Sequence, residues 1–236
     1  MKRIKSRASR NLKALGLSLA AVLALGVVGA SAAQAEGKFI AGKYPASLIG
    51  SSTSAQTITI AGGVRKVSCG TASFTGELTA AAESVQIFPT YLMCSGSLPS
   101  EPVTLSPNGC SNTWTVTKLE SATTAIGTEA INCPAGQEYQ IDFYASAKEQ
   151  SEHKPICTYG LPAQAGLGIV EYTDVGSGST ASLNITRNVT GVKVNVLKGL
   201  KIACGAAAGT STTAAIGGSL NMTAKNAGVQ TGLSVG

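Results

Sequence analysis

Histidine is almost missing from this chain, with His153 its only instance, and only two aspartates occur, Asp142 and Asp174. A serine-triad hydrolase needs an imidazole to shuttle the proton and a carboxylate to orient it. His153 lies in the polar run from Lys148 to Lys154, which reads as a surface loop, and no Gly-x-Ser-x-Gly elbow is present. Cys157 follows His153 by four residues, but a segment containing Pro155 gives that pair no thiol–imidazole geometry. Glycoside hydrolysis wants two convergent carboxylates. The most site-like acid, Asp142, sits on an alternating strand opposite Tyr139, Ile141 and Phe143, so it reads as solvent-facing. There is no Asp-x-Asp-x-Asp calcium loop and no Cys-x-x-Cys pair, and Gly166-Leu167-Gly168 lacks the third glycine of a phosphate loop. No catalytic, cofactor-binding or metal-ligating residue is therefore assigned, and no cofactor is expected.

Aromatics are scarce as well, at 5%, and charged residues make up only 13%. Trp114 shares an alternating face with Val116 and is expected in the core; Tyr91, Tyr144, Tyr159 and Tyr172 are the candidates for an exposed sugar-stacking platform. Small charge content with abundant Gly, Ala, Ser and Thr points away from helices and toward short strands and turns. Disorder does not fit, because the chain is 44% hydrophobic.

The formal net charge of +6 would ordinarily suggest a polyanionic partner. Its distribution removes that suggestion. Lys2, Arg3, Lys5, Arg7, Arg10 and Lys13 crowd the start without an acid, an apolar run covers Ala14 to Ala30, and Ser31-Ala32-Ala33-Gln34-Ala35 supplies the small residues a signal peptidase reads. Residues 1–35 are thus expected to form a helical, cleavable signal peptide of the general secretory route, cut after Ala35, with Ala32 as the fallback. A retained anchor is the rival reading, but the run falls short of the ~20 apolar residues of a spanning helix. Eighteen Lys and Arg less those six leave 12 against 12 acids, so the mature chain is neutral. Nucleic acid is excluded as a partner, and no stable membrane anchor remains after cleavage.

All six cysteines, Cys69, Cys94, Cys110, Cys133, Cys157 and Cys204, lie after the leader. An even number in an exported chain reads as disulfides. Nearest-neighbour pairing closes the shortest loops: Cys69 with Cys94, Cys110 with Cys133, Cys157 with Cys204.

Period-two alternation marks strands at Gln56–Ile60, Val64–Cys69, Ser84–Leu92, Asn112–Leu119, Glu138–Ala145, Leu167–Tyr172, Ala181–Arg187, Val192–Leu197, Ser219–Ala224 and Val229–Val235. Pro89 within one of them suggests an edge or a bulge. The expected class is all-β, an antiparallel sandwich or Greek-key sheets. Ala145–His153 has no apolar face and reads as an exposed linker, giving an N-terminal β domain at 36–146 and a C-terminal one at 147–236. Thr57–Ser73 and Lys193–Ala208 echo one another, each reading as strand, turn and second strand ending in Cys-Gly; a duplication would make two related β-lobes.

The segments KYPASLIG, KVSCGTASFTGEL, SPNGCSNTWTV, HKPICTY, GGSLNMTAKN and VQTGLSVG resemble a group of uncharacterised exported, six-cysteine, β-rich proteins of high-GC Gram-positive soil bacteria. The resemblance implies export and a β fold and carries no activity. The expectation is a secreted, non-enzymatic β protein of surface, matrix or adhesion type. An extracellular carbohydrate- or ligand-binding module is the alternative, and an unrecognised hydrolase the third reading. The partner is left open between cell-surface or environmental polysaccharide and protein.

Overall fold

Alternation in sequence becomes alternation in burial: along Gln56–Ile60 the side chains of Gln56, Ile58 and Ile60 are buried while Thr57 and Thr59 are half-exposed. The computed structural model describes residues 37–98 and 101–236. The expected signal peptide, with its cleavage point after Ala35, lies outside the described residues.

The class is all-β and every strand pairing is antiparallel. In chain order the strands begin β1 (Phe39–Ala41), β2 (Ala46–Ser52), β3 (Gln56–Ile60), β4 (Arg65–Leu78) and β5 (Ser84–Ser95). They continue with β6 (Val103–Ser106), β7 (Ser111–Leu119), β8 (Thr124–Asn132) and β9 (Tyr139–Phe143), followed by a one-turn helix α1 (Ala147–Ser151). The last third holds β10 (Cys157–Leu161), β11 (Gln164–Val175), β12 (Ser182–Gly199), the short helix α2 (Lys201–Cys204), β13 (Ser211–Asn226), β14 (Val229–Gln230) and β15 (Leu233–Val235).

The main sheet closes on itself. From β13 the ladder runs through β2, β4, β5, β7, β8, β11 and β12, and β12 pairs back onto β13 from Leu183↔Met222 to Asn195↔Ser211. A second tier continues above the first because four strands are long enough to belong to both. The N-terminal half of β4 and of β13 pairs with β3, while their C-terminal halves pair with β2. Likewise β12 pairs with β11 through Asn188 and with β10 from Asn195 onward. Strand β10 pairs with β9 and β9 with β6. Strand β6 returns to β5 through a single bridge, Ser95↔Pro102. Beyond Ile87, β5 has left β7 and keeps only β4 in continuous pairing, and Pro89 sits there, opposite Phe74. Proline tolerates that place because it has no N–H to offer a second ladder.

The two tiers share one core, and the described residues fall in one compact unit that runs across the expected boundary at 147. Ala181–Arg187 and Val192–Leu197 are one continuous strand, β12. The echo also ends in different structures: Cys69 lies on β4, whereas Cys204 ends α2. The bridges join Cys69 to Cys94, Cys110 to Cys133 and Cys157 to Cys204. The first clips adjacent strands, the second ties the β6–β7 loop to the β8–β9 loop where the tiers meet, and the third fastens α2 to β10. On a chain-entropy account the last, with a sequence separation of 47, is worth about 4 kcal/mol.

Between the tiers the core is polar. Arg187, 1% exposed, points inward from β12 and meets Glu129 of β8, also 1% exposed, in a two-pronged pair: Nε donates to Oε2 at 2.9 Å and the second nitrogen to Oε1 at 2.6 Å. The remaining nitrogen donates to Gln56 Oε1 at 3.3 Å, and Asn112 Nδ2 donates to Glu129 Oε1. Tyr139 Oη donates to Asn112 Oδ1 at 2.5 Å. Burial pushes the phenols of Tyr91 and Tyr139 above their ordinary pKa, so both stay protonated. Burial alone would lower the pKa of Arg187; the facing Glu129 carboxylate outweighs it and holds the guanidinium charged.

Deleting one member of such a pair leaves a buried charge uncompensated, at a cost of about 3–5 kcal/mol. Arg187→Met and Glu129→Leu are each expected to destabilise by that amount, and the double substitution by clearly less than their sum. Urea unfolding of the four proteins in a double-mutant cycle measures the coupling.

Candidate functional site

An open concavity lies at the end of the barrel where β11 finishes. Its volume is about 290 Å³. Asp174 and the turn Gly176-Ser177-Gly178 form one wall, Thr231, Gly232, Leu233 and Ser234 another, and Ile40 and Gly42 complete it. Glycine builds these walls for stated reasons. Gly176, Gly178 and Gly232 have φ of 77°, 61° and 77°, which side chains rarely adopt. At Gly42 a Cβ would come within 1.9 Å of the Thr231 carbonyl, so only glycine allows the two segments to meet. The turn is closed by Ala181 N–H donating to Gly178 and Leu233 N–H donating to Ala181.

Asp174 is the single charged residue of this lining. Its Oδ1 accepts the Val235 N–H at 2.9 Å. Desolvation raises its carboxyl pKa, and the Val235 hydrogen bond only partly offsets that. One carboxylate flanked by the hydroxyl-bearing Ser177, Thr231 and Ser234 is a hydrogen-bonding surface suited to a polyol. It is not an acid–base pair, because the lining contains neither a second acid nor a histidine.

The buried acids are engaged elsewhere. Glu129 is bound by Arg187 and Asn112 as described. Glu101 pairs with Arg65 at 2.5 Å. Asp142 departs from its expected place on solvent: it is only 9% exposed, accepting from the Thr158 hydroxyl at 2.7 Å and from Gln140 at 2.7 Å. It does point away from the Ile141 face, but neighbouring side chains cover it. His153 is exposed at the end of α1, and Cys157 is consumed in its bridge. Among the described residues, no three His, Cys, Asp or Glu side chains converge to hold a metal ion.

The tyrosines do not make a sugar platform. Tyr144, Tyr159 and Tyr172 are buried at 3%, 0% and 0%, and Tyr91 is partly buried beside the polar network. Trp114 is fully buried, tilted against Phe74 at 5.8 Å. Two buried ion pairs were missed by the sequence reading, yet Arg187 follows Leu183 and Ile185 on one face of an alternating strand, a signal that it points inward.

The chain matches no known family model, and no curated protein or solved structure is significantly similar to it.

The raised pKa of Asp174 has a definite sign. A folded-state carboxyl that holds its proton more tightly than the unfolded one stabilises the fold below the ordinary carboxylate range and loses that contribution as pH rises through its own pKa. Asp174→Asn keeps an acceptor for Val235 without the desolvated charge. Its melting temperature relative to the parent is therefore expected to rise between pH 3 and pH 7, as measured by thermal denaturation across that range.

Proposed function

We propose that residues 36–236 work outside the cell as a non-enzymatic β protein of the surface or extracellular matrix, adhesion-type in role, delivered by the N-terminal leader. The three disulfides fit an oxidising, extracellular setting. The observation that carries the non-enzymatic part is the engagement of the buried acids: Glu101, Glu129 and Asp142 are all taken up in structural pairings, and the open concavity offers only Asp174. The closed ring of eight strands also suits exposed service, since few free edges leave little backbone for unwanted strand pairing.

A second reading, an extracellular carbohydrate-binding module, is favoured by one feature, the Asp174 depression with its ring of hydroxyls and glycine backbone. In that reading a polysaccharide of the cell surface or the environment supplies the ligand, and Asp174 accepts from sugar hydroxyls.

Three measurements bear on these readings. The secreted protein is expected to begin at Glu36 by N-terminal sequencing and to release no free thiol on unfolding without reductant. Incubation with chromogenic glycosides, esters and peptides is expected to yield no product; turnover abolished by Asp174→Asn would replace the proposal with a hydrolase. On a glycan array, binding that disappears in Asp174→Asn would establish the binding-module reading, and no binding to any glycan would discard it.

A further inference from the structure

We infer that the opposite end of the barrel, built around Arg65, is a tip that docks reversibly onto an anionic lipid surface. Three connections meet there and are tied to one another. Arg65 opens β4 just after the turn that carries Val64; its Nε donates to the Ala203 carbonyl of α2 at 2.7 Å, and its guanidinium pairs with Glu101 at 2.5 Å. The same guanidinium carbon stands 5.1 Å above the ring of Phe143. Lys66 N–H donates to the Ser97 hydroxyl at 2.7 Å, and Glu101 N–H to the Leu98 carbonyl at 3.1 Å. A Cβ on Gly205 would lie 2.5 Å from Val64 Cγ1, so the end of α2 abuts the β3–β4 turn.

The side chains this bracing leaves in solvent are aliphatic. Val64 is 56% exposed, Leu98 61%, Leu200 73% and Ile202 93%. Large apolar groups presented together at a tip are unusual for a surface without a partner. The charges beside them are of one sign. Lys66 at the start of β4, Lys198 near the end of β12 and Lys201 on α2 are exposed, while the acid on these connections, Glu101, is buried and neutralised by Arg65. The fourth connection at this end, residues 144–156, is balanced, with Lys148 and Lys154 facing Glu152, and Glu149 beside them.

The chemistry favours a bilayer over a protein. Protein interfaces concentrate aromatics and arginine and are depleted in lysine. Here the exposed apolar groups are Val, Leu and Ile on connecting segments, and the cations are lysines, which gain from the negative potential of anionic headgroups. Such an arrangement inserts shallowly and adds electrostatic attraction, the two contributions that govern interfacial binding. The inference rests on the proposed extracellular placement only for its biological setting; vesicle binding is measured on the purified protein, so failure here leaves export untouched.

The test is co-sedimentation of the disulfide-intact protein with vesicles of phosphatidylcholine alone and of phosphatidylcholine with about one-third phosphatidylglycerol. Binding is expected to the anionic vesicles, at least ~10-fold weaker to the neutral ones, and to decline as salt shortens the Debye length. Ile202→Ser is expected to lower partitioning by about 10-fold, the scale of one large aliphatic side chain withdrawn from an apolar phase. Lys198→Gln with Lys201→Gln is expected to remove most of the preference for the anionic lipid. Val229→Ser, at a residue 72% exposed on β14, is the control and is expected to change nothing. Melting temperatures check that each variant is folded. Absence of binding to both vesicles overturns the inference. So does binding insensitive to Ile202→Ser but equalled by a soluble polyanion, which is capture by charge alone, and so does a dimer in sedimentation velocity that Ile202→Ser dissolves.

Discussion

The buried pair of Arg187 and Glu129 is the constraint around which the barrel is organised. It sits where two walls that differ in their strands must join: β7, β8 and β11 below, β6, β9 and β10 above. Strand ladders do not bridge that junction, so the polar side chains there do. Gln56 comes from β3, Arg187 from β12, Glu129 from β8, Asn112 from β7 and Tyr139 from β9, and a hydrogen bond links each to the next. Five strands from both tiers are thereby held in one register. Hydrophobic contact alone is nondirectional and would tolerate sliding of one tier on the other; a two-pronged guanidinium–carboxylate pair in a water-poor interior does not.

The disulfides act on the same problem from outside. Cys110–Cys133 ties the two loops that cross between tiers on the side of β7 and β8, close to Asn112 in sequence. Cys69–Cys94 holds β4 to β5 just before β5 meets β6 through one bridge, the weakest stretch of pairing in the wall. Cys157–Cys204 seats α2 at the end of the upper tier, where Tyr159 Oη and Arg65 donate to its Cys204 and Ala203 carbonyls. The second and third bridges join segments that no strand ladder pairs, whereas Cys69 and Cys94 are partners within the β4–β5 ladder; all three constrain the unfolded form of a chain poor in aromatics.

Much of this was legible in the sequence. Alternation of β-branched residues gave β3 to the residue and the cores of β5, β7 and β12, because one face of each meets the interior and the other meets solvent. The same rule failed on β8, TAIGTEAIN, since its inward row is Ala125, Gly127, Glu129 and Ile131, two small residues and a charge, while Ile126 faces outward. It failed on β10, CTYGL, where both faces are buried and no alternation exists. Closure of the sheet was illegible for a different reason: it depends on β12 pairing with β13 along one edge and changing partners from β11 to β10 on the other, and no local signal encodes a partner. The Asp174 depression joins residues near 40, 175 and 232, so it appears only once β1 and β15 pair.

Closing the barrel decides where function can reside. The interior is filled and holds a satisfied ion pair, and the closed ring of eight strands leaves unpaired backbone mainly along the β5–β6 seam and on β14. What varies freely is the pair of ends, where connections are long enough to carry unpaired chemistry. One end presents a desolvated carboxylate among hydroxyls and glycine backbone; the other presents exposed aliphatics among lysines, braced from beneath by Arg65 and Glu101. Because the four long strands and the central polar network fix these ends to one rigid body, a contact at the tip sets the direction in which the depression faces.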